Sequence, residues 1–249
     1  MIQIEKTSID HIPLLQVVQA KKADLALPTV IYFHGFYGEK ENGLTIAYKI
    51  AENGFRVLLP DSHLHGERSN KLSQVELDLS FWDIVIRNIK ELDVLKKYLT
   101  DEGLAIADRI GIGGTSMGGI TTYGALKRHD WIKAAVVLMG TPKMTVFAKH
   151  LIDEFNEGNE KQISETEAEE AIQVLEAYDI SLQPDRISDR PVFIWHGDKD
   201  AVVPFQHSVE FMEQAGSNER ITFLPEKGCG HYVSKLAIKE TATWFETYL

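Results

Sequence analysis

Apolar residues run without a break through Val30-Ile31-Tyr32-Phe33, and short runs of the same kind recur along the chain with amphipathic stretches between them. A strand that is apolar at every position is buried on both faces, so this pattern predicts a mostly parallel sheet covered by helices on each side. Strand-like runs fall at Ile2–Glu5, His11–Val18, Thr29–Phe33 and Arg56–Leu59. Four more lie at Arg109–Gly113, Ala134–Leu138, Pro191–Trp195 and Ile221–Leu224. The first alternates like an edge strand, and the first two read as a hairpin. Helical patterns are predicted over Gly43–Asn53, Val75–Tyr98, Met117–His129, Phe205–Gln214 and Val233–Tyr248. The alternation of strand and helix gives an α/β class, and ligands of such sheets bind at the carboxyl ends of the strands.

Residues 141–190 break this rhythm. The stretch is too long for a plain loop, and Ser164-Glu165-Thr166-Glu167 opens a helical pattern that reaches Tyr178. The expectation is one domain over residues 1–249, with a small helical lid inserted at 141–190. Between Lys143 and Asp189 there are 12 Asp plus Glu against 4 Lys plus Arg. The insert therefore holds most of the net charge of −11, which reads as a solvated helix face.

That charge argues against a nucleic-acid surface, because phosphate binding needs clustered Lys and Arg. Cys229 is the sole cysteine, which excludes an intrachain disulfide and a multi-thiolate metal site and fits a reducing compartment. The N-terminus lacks a secretory signal pattern, and no apolar stretch approaches the roughly 20 residues of a membrane span. A cytoplasmic protein with no membrane partner is expected.

The chemistry begins at Gly114-Thr115-Ser116-Met117-Gly118. This Gly-x-Ser-x-Gly follows an apolar strand and opens a helix, the context that identifies a nucleophile elbow. A serine lifted out of so sharp a turn needs small residues two positions away on each side, here Gly114 and Gly118. The same turn aims the Met117 N–H at charge developing beside the serine, which makes it one donor of an oxyanion hole. A serine hydroxyl also needs a base and an acid to orient that base. His231, alone among nine histidines, follows the last strand directly before the final helix. Asp198 and Asp200 both lie on the loop after an apolar strand, and the spacing leaves the choice between them open.

The order Ser116, acid, His231 resembles that of the α/β-hydrolase superfamily. The chain is similar, over its whole length, to the branch holding dienelactone hydrolases and prolyl oligopeptidases, and within it to small bacterial carboxylesterases of the YjfP and YitV type. The acid loop of that branch reads His-Gly-x-x-Asp-x-x-Val-Pro; His196-Gly197-Asp198-Lys199-Asp200-Ala201-Val202-Val203-Pro204 matches it and selects Asp200, leaving Asp198 as a turn residue. The His-Gly-x motif after the third strand is His34-Gly35-Phe36, which implies Phe36 N–H as second oxyanion donor, Tyr37 N–H as the alternative, and His34 as a residue holding the loop. Asp61-Ser62-His63-Leu64-His65-Gly66-Glu67-Arg68 resembles a structural loop of these esterases, and its spacing is not a zinc pattern. The chain departs from the branch at Gly228-Cys229-Gly230, where Cys229 is expected to be a small filler near His231.

The resemblance implies a serine carboxylesterase for small, short-chain esters, with Ser116, Asp200 and His231 as catalytic residues and no metal or cofactor. Thioesterase, amidase or peptidase-like chemistry on the same residues is one alternative, and a non-catalytic ligand-binding module is another.

Overall fold

The structure, a computed structural model, describes residues 1–158, 163–216 and 218–249. The strands are β1 (Ile2–Ile9), β2 (Ile12–Gln19), β3 (Leu27–Phe33), β4 (Arg56–Pro60), β5 (Ala105–Thr115), β6 (Ala135–Leu138), β7 (Val192–Gly197) and β8 (Ile221–Glu226). They form one sheet in the order β1-β2-β4-β3-β5-β6-β7-β8. Strand β2 pairs antiparallel with both β1 and β4, and every other pairing is parallel.

Alternate residues of each strand feed opposite faces, as the two-residue strand period requires. Ile31, Phe33, Leu58, Ile112 and Val137 join one core, beneath α3 (Phe81–Asp101), α4 (Met117–Arg128) and α7 (Phe205–Ala215). Val30, Tyr32, Val57, Leu59 and Val136 join the other, beneath α1 (Leu44–Glu52) and α8 (Lys235–Tyr248). Burial on both sides is why these strands are apolar throughout, and the architecture is the expected α/β-hydrolase fold.

Sequence expectations shift in several places. Strand β2 begins at Ile12 rather than His11, because Asp10 and His11 take φ of 44° and 70° as the two-residue turn of the β1-β2 hairpin. The helix expected over Val75–Tyr98 is two: α2 (Gln74–Leu79), opened by a Ser73–Glu76 capping box, and α3, separated from it by Ser80. The described part of residues 141–190 contains two α-helices, not one. Helix α5 (Met144–Gly158) precedes α6 (Glu165–Glu176), whose Ser164 cap is the predicted one; residues 159–162 of the insert lie outside the described residues.

Cations bind the return segment of this insert to the end of α4. Arg190 donates to the carbonyls of Leu126 and His129, and Arg186 to that of Lys127, satisfying helix-terminal acceptors that have no partner within the helix. Buried Asp179 ties the segment to the start of α5, accepting from the Thr145 N–H and hydroxyl on one oxygen and from Ser181 on the other.

Candidate active site

Strand β5 continues two residues beyond its predicted end, to Thr115, and α4 starts at Met117. Ser116 between them adopts φ 54°, ψ −113°, a conformation that costs a non-glycine residue of the order of 1–3 kcal/mol. Its N–H donates to the Leu138 carbonyl at 2.8 Å and its carbonyl accepts from Ile120 at 2.9 Å, so neighbouring backbone holds the turn. A Cβ added to Gly114 would lie 2.2 Å from the Gly118 carbonyl carbon, and one added to Gly118 would lie 2.2 Å from the Phe33 carbonyl oxygen. The two glycines are therefore required by close backbone approach.

The three residues read from the sequence meet here. Ser116 Oγ lies 2.9 Å from His231 Nε2, and His231 Nδ1 lies 2.7 Å from Asp200 Oδ2. A carboxylate beside Nδ1 keeps the proton there and leaves the Nε2 lone pair facing the serine hydroxyl. The Asp200 side chain is 0% exposed and that of His231 22%, so solvent reaches the imidazole but not the carboxylate. Burial alone would raise the Asp200 carboxyl. Hydrogen bonds from His196, His231 and the N–H groups of Val203 and Val202 outweigh it and hold the group well below the usual carboxylate range.

Asp198 does more than form a turn. Its carboxylate accepts the Gly228 N–H at 2.6 Å, and Lys199 N–H donates to the Cys229 carbonyl at 2.9 Å, which ties the acid loop to the loop bearing His231. Glu226 Oε2 accepts from Trp195 Nε1 and from the Ser234 hydroxyl, so that second loop is anchored at both of its ends. Cys229 is buried beside it, as expected of a filler. Sequence reasoning missed His196 and Ser208: the fully buried His196 ring sits 3.1 Å from Asp200 Oδ2 and 2.8 Å from Ser208 Oγ. A polar residue at the end of the apolar strand β7, four positions before Asp200, was the available signal.

The loop after β3 is held by two imidazoles. His34 Nε2 accepts the Ser62 N–H at 3.1 Å, so Nδ1 carries the proton and donates to the Gly35 carbonyl at 2.7 Å. His65 Nε2 accepts the Tyr37 N–H at 3.2 Å, and its Nδ1 lies 2.9 Å from the His63 carbonyl. The Tyr37 N–H is thus engaged, whereas those of Phe36 and Met117 have no partner among the described residues. Burial pushes His34 down to about 4, against the raising effect of the Gly35 carbonyl, and burial also lowers His65. Asp61, on the same segment as His65, accepts from Lys40 Nζ, Lys40 N–H and Glu67 N–H. Its oxygens and both nitrogens of His65 are occupied by protein, which suits a structural loop.

Aromatic rings connect this loop to the insert. Phe36 meets Phe81 edge-on at 5.0 Å, Phe81 meets Trp82 at 5.0 Å, and Trp82 meets Phe147 of α5 at 6.3 Å.

Comparison with known proteins places the chain in a family. The sequence profile of the prolyl oligopeptidase family matches residues 47–248. The chain belongs to the prolyl oligopeptidase family. Within that family it is a serine hydrolase. It is 43% identical over 255 residues to YitV of Bacillus subtilis, which carries a provisional esterase name, with all of both chains covered. It is also 28% identical over 252 residues to the esterase YjfP of Escherichia coli, again with both chains fully covered. The solved structure of TT1662 from Thermus thermophilus shares the fold at a TM-score of 0.79 and 18% identity, covering 99% of this chain and 98% of that one. No helix among the described residues is long and apolar enough to cross a membrane.

Two tests follow for this family member. Gly118→Ala forces a Cβ onto the Phe33 carbonyl and is expected to lose roughly 3 kcal/mol of stability. Gly158→Ala, with nothing within 4 Å, is the neutral control; equal thermal midpoints for the two variants would contradict the close-packing account. For His34, the unfolded chain takes up a proton near pH 6.5 and the folded chain only near 4, so stability is full above 6.5 and falls as pH drops toward 4. The loss is roughly 3 kcal/mol in urea unfolding between pH 7 and 4, and His34→Gln, which cannot titrate, is expected to lose correspondingly less. Identical losses in both proteins would count against it.

Proposed function

We propose that the protein is a serine carboxylesterase for small carboxylic esters with short acyl chains. The observation that carries this reading is the chain of contacts at Ser116, His231 and Asp200, 2.9 Å and 2.7 Å long, at the carboxyl edge of the sheet. His231 takes the Ser116 proton as Oγ attacks the ester carbonyl, and Asp200 stabilises the imidazolium that results. The negative charge on the tetrahedral oxygen is met by the Met117 and Phe36 N–H groups, the former aided by the N-terminus of the 12-residue helix α4. His231 then returns its proton to the departing alcohol. Water activated by the same imidazole attacks the acyl-enzyme, releases the acid and restores Ser116. Every proton passes through His231, so neither a metal nor a cofactor is called for.

Residues 141–190 act as a lid in this account. The partly buried rings of Phe36, Phe81 and Trp82 form an apolar patch that runs from the loop after β3 to buried Phe147 on α5. Such a patch next to the Gly35–Phe36 loop suits a hydrocarbon acyl or alcohol group. The esterase names of YitV and YjfP support the same substrate class.

The test is hydrolysis of p-nitrophenyl esters from acetate to decanoate. Wild type is expected to favour the short chains, with kcat lower by about 10⁴-fold or more in Ser116→Ala and by about 10⁴-fold in Asp200→Asn. Activity retained in Ser116→Ala would overturn the mechanism, and a preference for acyl thioesters or anilides would transfer it to those leaving groups. In the wild type kcat/KM falls toward acid pH along one limb, because protonated His231 cannot accept the serine proton while Asp200 stays ionised. A profile flat down to pH 5 would remove His231 from the role of base.

A further inference from the structure

One carboxylate oxygen of the site serves two imidazoles. Asp200 Oδ1 is fixed by backbone, accepting from Val202 at 2.8 Å and Val203 at 3.0 Å. Oδ2 faces His231 Nδ1 at 2.7 Å and His196 Nε2 at 3.1 Å. The His196 ring is fully buried, and its Nε2 lies equally 3.1 Å from the Val203 carbonyl oxygen. A carbonyl can only accept, so Nε2 carries the proton and shares it between that oxygen and Asp200. At the other side of the ring, Nδ1 lies 2.8 Å from Ser208 Oγ on α7, and the ring meets Phe205 edge-on at 5.7 Å. The ring thus has a partner at each nitrogen and a packed face. A side chain held this way has no freedom to leave Asp200.

We propose that His196 is a positioning residue for the Ser116, His231 and Asp200 assembly: by donating to Asp200 Oδ2 it fixes the carboxylate's rotation and moderates its pull on the His231 proton. The inference rests on the esterase reading above. A carboxylate oxygen that accepts two hydrogen bonds gives each donor less charge than one that accepts a single bond. An Oδ2 shared with His196 stabilises the His231 imidazolium less than an unshared one would, and so favours release of its proton to the leaving alcohol. The low-lying Asp200 carboxyl, held down partly by this donor, agrees with that division.

The other titratable groups nearby are left alone by the substitutions below. His207, on α7 beside Ser208, interacts with His196 through space and has Lys143, Glu210 and His150 beyond it. Asp198 is held on the Gly228 N–H, and Cys229 and Tyr232 flank His231 on its own loop.

The experiment is the pH dependence of kcat and KM on p-nitrophenyl acetate for wild type, His196→Gln, His196→Phe and His196→Met. The apolar variants remove the donor. Their plateau kcat is expected to fall about 10- to 100-fold, the worth of a hydrogen bond to a charged group, with KM within about twofold. Their acid limb is expected to move to higher pH by about one pH unit, because Oδ2 is left to His231 alone. His196→Gln, whose amide N–H reaches the same oxygen, restores the wild-type limb. An acid limb unmoved in the apolar variants overturns the proposal, and so does a limb that glutamine fails to restore. Should the apolar variants not fold, proton NMR of the wild type decides. The low-field His196 Nε2–H resonance, identified by its change in His196→Gln, shifts with the titration of His231 if the two share Oδ2; if it stays constant the proposal fails. Loss of the limb in the wild type itself, or activity in Ser116→Ala, would instead mark failure of the esterase reading.

Discussion

The backbone contact between the β5-α4 turn and the end of β3 is the constraint on which the site depends. With the turn pressed so close that neither Gly114 nor Gly118 has room for a Cβ, Ser116 is raised off the sheet edge in a left-handed conformation. The same contact brings the His34-Gly35-Phe36 loop beside the serine: a Cβ on Gly35 would stand 3.6 Å from that of Ser116. One close approach therefore sets both Ser116 and the loop that carries the Phe36 N–H, the proposed second oxyanion donor. The strain at Ser116 is borne by the double-faced core beneath it, where β3, β5 and β6 are buried from both sides.

Polar groups are arranged around that frame in pairs of loops. Asp198 to Gly228 and Lys199 to Cys229 fix the acid loop to the histidine loop, so the distance between Asp200 and His231 does not depend on either loop alone. His34 and His65 do the corresponding work for the loop after β3, each as a neutral ring that accepts a backbone N–H at Nε2. Holding the rings neutral has a consequence. His65 engages the Tyr37 N–H and leaves the Phe36 N–H as the proposed donor to substrate, and acid conditions that protonate these rings would undo that choice.

Much of this was legible in the sequence because it rests on short-range patterns. Near-continuous apolar strands gave the parallel sheet, and the Gly-x-Ser-x-Gly segment between strand and helix gave the elbow. Ser116 and His231 followed from position, whereas Asp200 over Asp198 came from the family motif. The features that were missed depend on contacts far apart in the chain or on patterns masked by charge. Helix α5 has apolar residues at 144, 147, 148 and 151, a helical spacing hidden inside an acidic stretch. The break at Ser80 has no glycine or proline to mark it. The clamp from Asp198 spans 30 residues, and the pairing of His196 with Asp200 depends on how the chain turns after β7.

The central claim is that this geometry makes Ser116 a nucleophile that forms a covalent acyl-enzyme. Reaction with a fluorophosphonate ester, followed by intact-mass and peptide mass spectrometry, tests it without reference to the natural substrate. The account predicts one adduct per chain, on the peptide containing Ser116, formed slowly or not at all in His231→Ala. A folded wild-type protein that takes up no label, or takes it up at another serine, would contradict it.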